Sequence, residues 1–81
     1  MIVRTVAVTI LDRHGRQFTH VTMAASLYQS VANAIDWFRD PCWRGPRPTS
    51  STIFDVLVTG DDRRFRVHAA ALERWRSRSV M

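Results

Sequence analysis

The sequence predicts an α+β domain in the order strand, strand, helix, strand, strand, short helix. The expected architecture is a two-layer sandwich with a mainly antiparallel four-stranded sheet. Three observations carry this reading. Apolar residues alternate with period two in two separate regions, each broken by turn residues, as in hairpins. Between those regions one stretch carries helical spacing behind a capping signal. Each hairpin has one apolar face and the helix one apolar stripe, so the elements bury themselves only by packing in layers.

In the first hairpin Val6, Val8 and Ile10 alternate with Thr5, Ala7, Thr9 and Leu11, a β-branched pattern suited to a half-buried strand. Asp12-Arg13-His14-Gly15 carries turn chemistry, with Asp opening a type I turn and Gly supplying the left-handed residue of a bulge. Such a turn pairs Asp12 with Arg16, Ile10 with Phe18 and Val8 with His20. Gln17, Thr19 and Val21 then join the face opposite the core.

Ser26-Leu27-Tyr28-Gln29 is a capping box, and Leu27, Val31, Ala34, Ile35 and Phe38 follow as one apolar stripe. Tyr28 and Trp37 flank the stripe on opposite sides. Pro41 disfavours helical geometry at Asp40, so the helix ends near Arg39. Residues 39–51 form a Pro-rich connection with Pro41, Pro46, Pro48 and Gly45, long enough to be either functional or mobile.

In the second hairpin Phe54, Val56 and Val58 alternate, as do Phe65 and Val67, around a Gly60-Asp61-Asp62-Arg63 turn. The expected register pairs Val58 with Phe65 and Val56 with Val67. It sets Leu57 beside Arg66 and Asp55 beside His68, and buries Phe65 against the helix. Ala69 to Ser77 forms a short helix that presents Ala71, Leu72 and Trp75 and is too short to stand alone. A right-handed crossover through the main helix, with the first and last strands side by side, gives the strand order 2-1-4-3. That order resembles the β-grasp arrangement of ubiquitin-like domains and of the immunoglobulin-binding domains of protein G.

The chain has 81 residues, enough for a single domain over 1–81 with a thin core. Its one cysteine, Cys42, forms no intrachain disulfide, which suits a reducing compartment. The apolar start is interrupted by Arg4 and ended by Asp12-Arg13, so no export signal is expected. No stretch approaches the roughly 20 apolar residues of a membrane span. These readings place the protein in the cytoplasm, away from membranes.

The net charge is +5, and all twelve basic residues are arginine. Residues 1–62 carry six Arg and six Asp, whereas 63–81 carry six Arg and one Glu, so the whole excess lies in the C-terminal region. Arg63, Arg64, Arg66, Arg74, Arg76 and Arg78 are therefore the candidate nucleic-acid contacts, acting on the phosphate backbone. Codon bias in a GC-rich genome is the competing explanation of twelve Arg and no Lys. Phe18, Phe54 and Phe65 fall on the core phase, which leaves the open face without the aromatic platform of sheet-type RNA binders.

His14, His20 and His68 lack the spacing of a metal-ligand set, and no cofactor is expected. The Asp55–His68 neighbours are the nearest approach to acid–base machinery, but they have no nucleophile beside them; enzymatic activity is not expected. The leading expectation is a protein-interaction module that binds another protein or itself. Trp43 in the loop and Trp37 on the helix flank are of the type enriched in binding hot spots. The alternative for Trp43 is that it folds back beside Trp37 under the loop. Ile53 and Leu57, with Ala7, Leu11 and Val21, make the open sheet face apolar for a surface exposed to water.

Gly15, His20-Val21-Thr22, Ala24-Ala25-Ser26-Leu27-Tyr28 and the closing Leu72-Glu73-Arg74-Trp75 together resemble a pattern of short uncharacterised bacterial proteins. The resemblance implies a bacterial source and no particular activity.

Overall fold

The computed structural model describes residues 3–60 and 63–79, with side chains as far as Trp75. Its elements are β1 (Arg4–Leu11), β2 (Gln17–Ala24), α1 (Leu27–Phe38), β3 (Ile53–Val58), β4 (Arg63–His68) and α2 (Ala69–Ser79). The ββαββα order and the α+β class are those expected, with α2 reaching two residues past Ser77.

Local chemistry fixes the first hairpin. The Asp12 N–H donates to the Arg16 carbonyl at 3.0 Å and the Gly15 N–H to the Asp12 carbonyl at 3.1 Å. Gly15 takes a φ of 80°, a conformation that L side chains rarely adopt. The Asp12 carboxylate accepts from the backbone N–H of His14 and of Arg16 at 2.8 and 2.9 Å. Ile10 stands opposite Phe18 and Val8 opposite His20, as the turn dictates. In α1 the Ser26 hydroxyl accepts from the Gln29 N–H at 3.1 Å, and the Arg39 N–H closes the helix on the Ile35 carbonyl at 2.9 Å. Ser30 is buried beside the stripe, its hydroxyl donating to the Leu27 carbonyl at 2.6 Å.

The sheet order is β2-β1-β3-β4 with every pair antiparallel, which corrects the β-grasp order 2-1-4-3. The physical reason lies in the strands themselves. β4 carries Arg63, Arg64 and Arg66, and charged side chains suit an edge. The apolar β3 takes the central place beside β1. Both β2 and β3 run antiparallel to β1, so α1 belongs to a crossover that passes over β1.

The second hairpin is also shifted. Val56 faces Phe65, Phe54 faces Val67 and Asp55 faces Arg66, a slip of two residues from the expected register that keeps each side chain on its own face. The connection is tighter than expected, because Arg63 already faces Val58. Thr59 meanwhile extends the pairing of β3 with β1, its N–H and hydroxyl both donating to the Thr5 carbonyl at 3.1 and 2.7 Å. Asp61 and Asp62, placed in the turn from sequence, lie outside the described residues. Phe65, expected in the core, is not a core residue, because β4 is an edge strand. It is 38% exposed on the edge strand, where it lines a small apolar recess with Leu27 and Val58.

Val6, Val8 and Ile10 of β1, Phe54 and Val56 of β3 and Val67 of β4 pack against Val31, Ala34, Ile35 and Phe38 of α1, with Ala69 and Leu72 of α2. The Ala69 N–H donates to the Thr52 carbonyl at 3.0 Å, and Trp75 stacks on Tyr28 at 5.6 Å. Because Phe38 is fully buried, Phe38→Ala is expected to destabilise by about 3–5 kcal/mol. Phe65→Ala is expected to lose only about 1–2 kcal/mol. Urea melts of the two variants check this, and equal losses would contradict the edge position of Phe65.

Candidate functional site

Both helices lie on one side of the sheet, so the opposite face is open. Its side chains form rows across the strands. Thr19, Thr9, Asp55 and Arg66 make a polar row, in which the Thr9 and Thr19 hydroxyls meet at 2.7 Å and Arg66 Nε lies 3.5 Å from Asp55. Val21, Ala7, Leu57 and Arg64 make the next row. Leu57 is half-buried there, in a shallow depression of about 280 Å³ shared with Ala7, Thr9, Thr19 and Arg64. Leu11 and Ile53 are exposed towards the other end, and Met23 beyond Val21. Val21 is 59% and Met23 65% exposed. Met23 escaped the sequence reading, although the period-two pattern of Gln17, Thr19 and Val21 continues to it without interruption.

Trp43 folds back onto the end of α1. Its ring lies 4.7 Å from Trp37, 5.3 Å from Phe38 and 5.6 Å from Phe18, centre to centre. The indole N–H donates to the Pro46 carbonyl at 2.9 Å. A Cβ at Gly45 would sit 2.2 Å from the Trp43 ring, so glycine is what lets the loop close over the indole. Arg47 donates to the carbonyls of Asp40 and Trp43 at 3.2 and 3.0 Å. The 39–51 connection is thus tied down by its own bonds. Trp43 is the cover of the cluster, while Trp37 keeps 43% of its surface exposed and stacks on His20 at 5.0 Å.

The candidate arginines are not gathered on one surface. Arg64 and Arg66 face the open side, whereas Arg63 shares the helix-side phase of Val58. Arg74 stands on α2 beside Tyr28 and Trp75. Arg76 and Arg78 lie outside the described side chains. The described residues instead bring Arg13, Arg16 and Arg44 together around a groove between the first turn and the loop, with Phe18 and Trp43 at its wall. Sequence order hid this convergence, because it requires the loop to fold back. Arg16 is engaged there by Asp12 at 2.9 Å.

Asp55 pairs with Arg66, not with His68, so the acid–base pair expected from sequence does not form. Among the described residues no group of three His, Cys, Asp or Glu is placed to hold a metal ion. No helix of those residues is long and apolar enough to cross a membrane. Comparison with family models, curated proteins and solved structures gives no match.

Burial pushes the His20 imidazole below its ordinary value of 6.5. The unfolded chain therefore takes up the proton first, and stability is lost as pH falls from about 6.5 through the lower folded value. Wild type and His20→Gln should differ by less below that window than at neutral pH. A gap that stays constant in pH-dependent urea melts would show that His20 is not shielded.

Proposed function

We propose that this chain is a small non-enzymatic protein-interaction module whose docking surface is the helix-free face of the sheet. The observation that carries the reading is the exposure of Leu11, Val21, Met23 and Ile53 together on that one face. Single exposed apolar residues are ordinary, whereas a group on one rigid surface is the mark of an interaction site. The sheet supplies the rigidity, so little conformational entropy is lost on docking. The pairing of Asp55 with Arg66 fits the non-enzymatic reading, since the nearest acid–base pair in the sequence is spent on a surface ion pair. The exposed free thiol of Cys42 fits a reducing, cytoplasmic setting. Backbone-directed nucleic-acid binding has less support. Its arginines are divided between two faces, and the open face carries Thr, Val, Leu and Ile where base stacking needs aromatics.

A photo-crosslinking residue at Ile53, compared with one at the exposed Gln29 of α1, tests the reading in cells. A discrete protein adduct is expected from position 53 alone, and Val21→Asp should abolish it without unfolding the chain. Equal labelling at both positions, or an adduct indifferent to Val21→Asp, would overturn the proposal.

A further inference from the structure

The two edges of the sheet differ in a way that bears on what pairs with them. An exposed edge strand is a template for another strand, and charges are a common means of blocking it. On β4 the sequence Arg63-Arg64-Phe65-Arg66 supplies that block. On β2 the sequence Gln17-Phe18-Thr19-His20-Val21-Thr22-Met23-Ala24 holds no Asp, Glu, Lys or Arg, no proline and no glycine. It runs for 8 residues and, among the described residues, has β1 as its one neighbour in the sheet.

The hydrogen-bond phase shows what this edge offers. The Asp12–Arg16 bond closing the hairpin makes alternate pairs from there, Ile10–Phe18 and Val8–His20, the bonded ones of the antiparallel ladder. The N–H and C=O groups of Gln17, Thr19, Val21 and Met23 then point away from β1. The apolar layer on the helix side also fails to end at this edge. Val6, Val8 and Ile10 of β1 are buried, whereas Phe18, His20 and Thr22 of β2 are only half covered. Trp37 stands over His20 with its outer side open.

We infer that the free edge of β2 joins the same edge of a second copy of this chain, antiparallel, so that two sheets continue into one. The inference rests on the interaction-module reading and adds to its docking face a second contact, the outer edge of β2, taken by another copy of the chain. Two-fold pairing that opposes outward-bonding residues and engages most of the strand sets Gln17 against Met23 and Thr19 against Val21, with His20 at the axis. Every cross-strand pair is then neutral. The isologous contact covers the outer side of Trp37 and places the Arg-rich β4 strands at the far ends, where charges of like sign are most separated. Val21 of one copy lies diagonally beside Val21 of the other, and each Met23 stands opposite Gln17 of the second copy, towards an end of the joint.

Sedimentation equilibrium of the full chain at micromolar concentration tests this. Thr19→Lys with Val21→Lys places like charges directly opposite one another across the joint, and so does Thr19→Glu with Val21→Glu. Wild type is expected to be a dimer, each double variant a folded monomer by circular dichroism with self-association weakened at least tenfold, and an equimolar mixture of the two variants a dimer again. A monomeric wild type overturns the inference while leaving the crosslinking result at Ile53 to judge the open face. A dimer indifferent to both double variants but dissociated by Ile53→Asp would place the joint on the face, overturning the edge pairing and sparing the broader reading.

Discussion

Everything in this fold depends on β1 being paired on both sides. Its backbone is bonded to β2 along its whole length and to β3 over Val6 to Thr9, and its even-numbered side chains are the floor on which α1 rests. That arrangement makes β2 and β4 the edges. It also commits both helices to one side, because the apolar sides of both hairpins point there. Among the described residues no further element covers the other side. The exposed apolar residues of the open face are therefore a consequence of topology, and they are the surface on which the proposed partner docks.

The aromatic cluster extends the same logic to the rim. Phe38 carries the core to the end of α1, Trp43 closes over it, and Trp37 passes the layer on to His20 at the outer strand. The loop that holds Trp43 is fixed by the approach of Gly45 to the indole and by Arg47 bonds to backbone carbonyls. The layer thins towards β2 and remains open there. At β4, by contrast, arginines guard the edge. One edge is neutral and half-covered, the other charged, and this asymmetry gives the molecule a direction along its sheet.

What could be read from the sequence was what is decided locally. Asp12 and Gly15 specify the first turn, and a turn of that type fixes the register of every pair behind it. Ser26 and Gln29 set the start of α1, and Pro41 sets its end. The register of the second hairpin was less legible, because the alternation of its two strands fits pairings two residues apart equally well, each keeping every side chain on its own face. The strand order was non-local, although the arginines of β4 carried a signal for an edge. Of the candidate site, Ile53 and Leu57 followed from strand phase. The gathering of Arg13, Arg16 and Arg44 did not, because it exists only once Trp43 has folded back.

The claim at the centre of this account is that the outer edge of β2 is a bonding edge satisfied by another strand. Amide hydrogen exchange resolved by residue and measured across protein concentration addresses it directly. The N–H groups of Gln17, Thr19, Val21 and Met23 should pass from fast exchange when dilute to protection when concentrated, while those of Phe18 and His20, bonded to β1, stay protected throughout. Fast exchange of the first set at every concentration would contradict the account.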